Sequence, residues 1–229
     1  MARLLRIMAR LRGPNGCPWD REQDHDAIKQ CLIEEAYETV EAIESGSDEA
    51  LCDELGDLLL QVVFHAQLAA ERRSFDFHDV AESISEKLVR RHPHVFGPGK
   101  LKDADAVLTQ WESIKREERK KSGLDHKNAL DGVPKYLPAL LRAEKLQKKA
   151  SKAGLTRDDL KADLKEAEAL FFGVKSGVSK RVTARILGEL LFSVAGLARK
   201  FKLEPEQLLR SANRRFETRM RKIESKKKF

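Results

Sequence analysis

Cysteine is scarce in this sequence: Cys17, Cys31 and Cys52 are odd in number and form no CxxC pair. That excludes a disulfide framework and a thiolate zinc site, and leaves a reducing cytoplasm as the expected compartment. Long runs free of charge are also missing, so no transmembrane segment is expected. Sustained period-two alternation of apolar and polar residues, the mark of a half-buried strand, is nowhere found.

What is present describes a folded, heavily charged chain. At 229 residues, with 41% hydrophobic and 35% charged residues, it is too apolar for disorder and long enough for one large domain or two small ones. The segment MARLLRIMARLR, Met1 to Arg12, is Arg-rich and amphipathic like an organellar targeting peptide, yet it lacks serine and runs straight into GPNGCPWD. It is expected to be the first helix of the fold. The formal charge of +7 hides an asymmetry: residues 1–95 hold 11 Lys and Arg against 19 Asp and Glu, and residues 96–229 hold 33 against 18. The halves therefore bear −8 and +15. A basic half ending in Lys226, Lys227 and Lys228 would suit phosphate contacts with nucleic acid. No recognition motif accompanies the charge, so a solvated helical surface is expected instead.

Apolar residues recur at helical spacing from end to end, and the expected fold is all-α. Turn-forming clusters at GPNGCP (13–18), SGSD (45–48), HPHVFGPG (92–99) and VPKYLP (133–138) divide the chain. Between them, helices are predicted near 26–44, 49–72, 77–91, 103–121, 137–152, 157–175, 180–202 and 205–225. The segment LGDLLLQVVFHAQLA at 55–69 resembles LGELLFSVAGLARKF at 187–201, each after a shorter acidic helix. Two related helical units are therefore expected, 1–125 and 126–229, joined through the Pro-rich segment after Asp131.

In IEEAYETVEAIE, Glu34, Glu35, Glu38 and Glu41 recur at spacings of three and four and share a helical face, where like charges repel. Glu54 and Asp57 stand three apart on the next helix and lead into an almost wholly apolar stretch, 58–64, that should be buried. Two acidic ridges on adjacent antiparallel helices would bring several carboxylates together in low dielectric, which is costly uncompensated. Basic residues do not supply the compensation: Lys29 is the one base within 26–44, and 49–71 has none. A hard divalent cation does, because carboxylate oxygens suit Mg²⁺ or Mn²⁺, which also take substrate phosphates as ligands. The competing expectation is an exposed acidic face. A di-iron bundle site needs Glu-x-x-His pairs; here Glu35 is followed by Glu38 and Glu54 by Asp57, with His65 two turns further on, so redox iron is disfavoured.

Five segments in order along the first 150 residues resemble the MazG family of nucleotide pyrophosphohydrolases: LLRIMARLRGPNGCPWDREQ, IEEAYETVEAIE, DELGDLLLQVVFHAQLA, FDFHDVAESISEKLVRRHPHVFG and WESIKREER. The resemblance implies an all-α, usually homodimeric protein that converts a nucleoside triphosphate and water to the monophosphate and pyrophosphate, a nucleotide-pool housekeeping activity. Its catalytic core is expected at about 26–100. The family pattern EExxE followed by ExxD falls on Glu34, Glu35, Glu38, Glu54 and Asp57. It implies that Glu35, Glu38, Glu54 and Asp57 ligate Mg²⁺, with Mn²⁺ as a substitute, and that Glu34 orients water or a ligand. The implied chemistry is attack of water on the α-phosphorus, with the phosphates polarised by the metal and pyrophosphate leaving. Whether Glu34 or a ligating Glu takes the proton stays open.

The same resemblance points to Lys87 and Arg91 in SEKLVRRHPH, and to Trp111 and Lys115 in WESIK, as substrate-binding residues. The bases would neutralise phosphates, while Trp111 either stacks on a nucleobase or anchors the core. Arg90 is an alternative to Arg91 as the inward base. Trp19 is expected to pack beside a tight turn, Asp20 to cap the following segment, and His92 and His94 to be structural at a helix stop. In the second unit, LKEAEALF and ILGELLF place Glu166, Ala169, Ile186 and Glu189 at the four ligand positions. Two carboxylates are lost, so that unit is expected to be degenerate and to serve packing or dimerisation. Two other functions stay in view, a nucleotide-binding regulator without turnover and a basic helical nucleic-acid binder.

Overall fold

The structure, a computed structural model, describes residues 1–99, 101, 103–121, 128–156, 159–174 and 179–227. The expected junction at 125–126, the predicted helix ends at 157 and 175, and Lys228 lie outside the described residues. Among the described residues the architecture is all-α, eleven helices and no strand. The chain divides into two compact units, Met1–Glu118 and Arg119–Phe229.

In the first unit, helix α1 (Ala2–Arg12) buries Met8 and stops at Gly13. The chain then folds back so tightly that the Cys17 N–H donates to the Leu11 carbonyl at 2.8 Å, and a Cβ on Gly16 would lie 2.0 Å from that oxygen. Only glycine fits there. Helix α2 (Pro18–Glu22) begins on proline, whose missing N–H is no loss in a first turn. Asp24, not Asp20, caps the next helix: its carboxylate accepts from the N–H groups of Asp26 and Ala27 at 2.9 and 2.8 Å. Asp20 is taken up inside α2, and Trp19 beside it is carried to the surface, 59% exposed, so the packing role expected of it is not met.

Helices α3 (His25–Ser45) and α4 (Asp48–Glu71) form a hairpin. Gly46, at φ +73°, ends the first in the left-handed region, and the Ser47 hydroxyl caps the second by accepting from Ala50 N–H at 3.2 Å. A link this short makes the two helices antiparallel neighbours. Helix α5 (Phe77–Arg91) opens on a reciprocal capping box between Asp76 and Asp79. One turn, α6 (Pro93–Phe96), precedes α7 (Ala104–Lys121). Both α2 and α6 lie at segments marked as turns by the sequence; Pro18 and Pro93 preset a helical φ, and a single turn forms before the chain bends.

Helix α4 is the spine of this unit, packed on by α1, α3 and α5. Its core comprises Met8, Ile28, Val63, Phe64 and Leu68, flanked by Leu4, Leu5, Leu59, Leu60 and Phe77. In the second unit, α10 (Lys180–Lys200) packs on α8 (Ala139–Lys152), α9 (Leu160–Gly173) and α11 (Pro205–Lys227). Small residues let it approach: Ala143, Ala195 and Ala198 are buried, and the Gln147 amide, donating to the Phe192 carbonyl at 2.7 Å, fills the space a side chain on Gly196 would need.

One buried cation ties the first unit together. The Arg12 side chain, 7% exposed, donates to Glu71 at 2.7 and 2.8 Å, to the Gln23 carbonyl at 3.1 Å and to the Asp20 carbonyl, and lies 5.5 Å from the centre of the Phe64 ring. Arg12→Ala removes the partner that lowers the Glu71 pKa and takes a donor from the Gln23 and Asp20 carbonyls, of which Asp20 keeps the Gln23 N–H. It is expected to cost about 3 kcal/mol, read as a lowered midpoint in urea denaturation.

Candidate active site

The α3–α4 hairpin sets the geometry. Glu35 and Glu38 stand one turn apart on α3, Glu54 and Asp57 one turn apart on α4. Between them Thr39 is buried, its hydroxyl 2.8 Å from the Glu35 carbonyl and 3.4 Å from that of Glu54, so it bridges the helices at the level of the acids. Carboxylate oxygens of Glu35, Glu38 and Glu54 all lie within 4.8 Å of one another, the one such group of three found among the described residues. Asp57 is exposed and outside that trio, but near enough for its charge to act on both Glu35 and Glu54. Glu34 is exposed and likewise outside it.

Burial first, then the charges of Asp57 and Glu38, raise the Glu35 carboxyl above the ordinary glutamate range, against a lowering hydrogen bond from Gln61. Glu54 is raised by burial and then by Glu38, Asp57, Asp53 and Glu41. Every charge acting on these two groups is negative. Three oxygens this close suit a small divalent cation, since Mg²⁺ binds oxygens at about 2.0–2.1 Å and opposite ligands then lie roughly 4 Å apart. The residues fit such a metal in both donor chemistry and unmet charge.

Sequence inspection missed the supports. Gln61 is buried at 6% exposure; its Nε2 donates to Glu35 Oε1 at 3.4 Å, while its Oε1 has no hydrogen-bond partner. It stands one turn beyond Asp57 as the only polar residue of the 58–64 run, which is the signal that could have found it. Further along the same hairpin, His25 Nδ1 and His65 Nδ1 are 2.8 Å apart with stacked rings, and Arg72 Nη2 reaches His25 Nε2 at 2.7 Å. Arginine only donates. His25 must therefore accept at Nε2 and donate from Nδ1, and His65 must accept at Nδ1.

On α5, Lys87 is half-buried beside Phe75, Asp79, Val80, Ser83 and Ile84. Arg91 is the inward base, its side chain 17% exposed against 51% for Arg90. Both are held by Glu118 of α7: Arg90 Nε donates to Oε1 at 2.7 Å, and Arg91 Nη2 and Nε donate to Oε2 at 2.6 and 3.1 Å. Trp111 is half-buried, edge-on to His92 with centres 4.9 Å apart, and Lys115 Nζ lies 5.6 Å from the centre of its ring. Its Nε1 is buried without a partner. His92 Nδ1 lies 2.7 Å from the Leu88 carbonyl at the end of α5, a structural role. Among the described residues, no hydrogen bond or ion pair joins Lys87, Arg91, Trp111 or Lys115 to the carboxylate trio.

The family model of the MazG nucleotide pyrophosphohydrolase domain matches residues 23–96, the stretch that carries α3, α4 and α5. The nucleoside triphosphate pyrophosphohydrolase of Escherichia coli K12 is 42% identical over 228 residues, spanning 97% of this chain and 86% of that protein. The nucleoside triphosphate pyrophosphohydrolase/pyrophosphatase MazG of Thermotoga maritima is 41% identical over 223 residues, 96% of this chain and 84% of its own. The chain belongs to the MazG family. A crystal structure of a MazG-related protein from Thermotoga maritima covers 50% of this chain and 98% of its own, with 27% identity and a TM-score of 0.43.

Against this MazG hairpin, the α9–α10 pair of the second unit has no acidic trio among its described residues. Ile186 lies beside the Gly173 backbone, and Lys200 pairs with Asp163 at 2.6 Å to join the two helices.

Two solution properties follow. Burial, then the positive charge His25 carries when it is protonated, lowers the His65 pKa from its ordinary 6.5. The unfolded chain therefore binds that proton more readily, and the stability His65 contributes is present above about pH 6.5 and lost as pH falls through the lowered value. The melting temperature of His65→Gln should therefore gain on that of wild type as pH falls from about 7 to 5 in scanning fluorimetry. The acidic trio behaves oppositely. Groups raised in the fold, as Glu35 and Glu54 are, stabilise it below the ordinary glutamate pKa and lose that contribution as pH rises through the raised values. At pH 7 Glu54→Gln should thus melt higher than wild type in chelator, and should lack the rise that Mg²⁺ gives wild type.

Proposed function

We propose that this protein hydrolyses nucleoside triphosphates, both ribo- and deoxyribonucleotides, to the monophosphate and pyrophosphate, using Mg²⁺ held by Glu35, Glu38, Glu54 and Asp57 in its first unit. The observation that carries this is the uncompensated carboxylate trio, set across a hairpin that lies within the matched MazG domain. Nucleotide-pool housekeeping in the cytoplasm is the role this suggests; three free cysteines accord with a reducing compartment, and among the described residues no helix is long and apolar enough to cross a membrane.

Each residue group has a task. The four carboxylates hold the cation, and Gln61 fixes the Glu35 carboxylate by its amide hydrogen bond. When bound, the metal supplies neutralisation and polarisation of the phosphates and eases deprotonation of water. Glu34, exposed beside the trio, orients water or a ligand. Lys87, Arg91 and Lys115 neutralise the polyphosphate, and Trp111 offers an indole surface to the nucleobase. Arg90 joins Arg91 in that task, since Glu118 holds both.

The second unit is degenerate under this proposal, because Ala169 and Ile186 replace carboxylates and Glu166 and Glu189 alone make a poor cation site. The working state is a homodimer. Ile33, Tyr37 and Val40 recur at helical spacing on α3 and are 36–41% exposed, and Leu55 on α4 is 48% exposed, an apolar stripe of the kind that a second copy would cover.

Release of pyrophosphate and monophosphate from a panel of canonical and oxidised nucleotides with Mg²⁺ tests the proposal. Glu38→Gln and Asp57→Asn should each cut turnover about a hundredfold or more, whereas Glu189→Gln should leave it unchanged. Orthophosphate as the sole product would contradict the proposal, and tight Mg–nucleotide binding without product would make the protein a nucleotide-binding regulator.

A further inference from the structure

Arg90 and Arg91 are consecutive on α5, and consecutive residues leave a helix about 100° apart. Their guanidinium groups should diverge, and their like charges favour divergence further. Instead both converge on one carboxylate, that of Glu118. Glu118 meets Arg90 through Nε and Arg91 along the Nε–Nη2 side edge. Both terminal nitrogens of Arg90 and Nη1 of Arg91 take no part in that contact. Those N–H groups remain to donate to a phosphate.

We infer that Glu118 is a positioning residue of the phosphate-binding site, gathering Arg90 and Arg91 into one anion receptor and fixing against them the helix that carries Trp111 and Lys115. This rests on the proposed function. Trp111, Lys115 and Glu118 are spaced by four and three along α7 and share a face. His92, next after Arg91, closes the same junction from α5 by its edge contact with Trp111. Hydrogen bonds from Arg91 and then Arg90 hold the Glu118 carboxyl down at about 2, so it remains ionised across the neutral range and the clamp is permanent there. Local charge still favours an anion, since two guanidinium groups share one carboxylate.

The inference separates sharply from simple electrostatics. Removing a negative charge beside a polyanion site should tighten binding; removing a positioning carboxylate should weaken it. Full-length Glu118→Gln is expected to raise KM for the nucleoside triphosphate about tenfold, with kcat within about twofold of wild type. Inorganic tripolyphosphate, titrated by calorimetry with Mg²⁺ present, should bind Glu118→Gln about tenfold more weakly. Glu118→Asp keeps the charge but is too short to reach both guanidinium groups, so it should fall between. Glu117→Gln removes the same charge from an exposed neighbour and should change neither constant. Unchanged or tighter binding in Glu118→Gln overturns the inference. Should that variant fail to fold, Glu118→Asp decides alike: a raised KM supports the inference and a wild-type KM overturns it. If wild type releases no pyrophosphate from any nucleotide, the proposed function fails, and the tripolyphosphate titration alone then judges Glu118, weaker binding in the variant supporting it and equal or tighter binding overturning it.

Discussion

Glu35, Glu38 and Glu54 face one another because Gly46 and Ser47 give α3 and α4 no room to part, and because Thr39 pins the helices where the charges meet. Like charges in that position oppose folding, and burial of two of them adds to the opposition. The remainder of α4 supplies the offset. Past Asp57 the helix carries Leu59, Leu60, Val63, Phe64 and Leu68 into the core, where α1 and α5 pack on it. One helix thus serves as charged site at its beginning and as structural spine at its end. Arg12 reinforces that spine by reaching Glu71 and Phe64 from α1.

The second unit supplies an internal comparison. Its α9–α10 hairpin packs with Ile186 beside Gly173 and with Lys200 paired to Asp163, and it gathers no acidic trio among the described residues. A helical pair of this kind therefore holds together without clustered carboxylates. Their presence in the first hairpin is a cost that packing does not require, which is the expected signature of a functional site.

Helical periodicity made the α-helices legible in the sequence, because a stripe of apolar side chains at three- and four-residue spacing repeats over many turns and averages out local exceptions. The carboxylates were legible for the same reason: Glu35 with Glu38, and Glu54 with Asp57, are local pairs on single helices. What escaped was either too short or too distant in sequence. Helices α2 and α6 are single turns begun by Pro18 and Pro93, too brief for any period to register. Asp24 displaced Asp20 as a cap because α2 consumed the residues between them. Gln61 lies in an apolar run, and the partnership of Glu118 with Arg90 and Arg91, or of His25 with His65, spans stretches whose folding back no local pattern reports.

The Glu118 contact also bears on how acid and base coexist in one small unit. Helix α5 packs on α4, so Arg90 and Arg91 belong to a helix that lies against the one bearing Glu54 and Asp57. A guanidinium drawn into the trio would neutralise it and remove the unmet charge on which the proposed cation site rests. Holding both guanidinium groups on Glu118 satisfies part of their hydrogen bonding elsewhere and keeps the two charges apart. A polyphosphate carrying a divalent cation needs both at once, because the trio repels the phosphates and the guanidinium groups repel the metal. Under the proposed function only the complex of the two is attracted throughout, and the separation of charge would then favour the metal–nucleotide complex over either component alone.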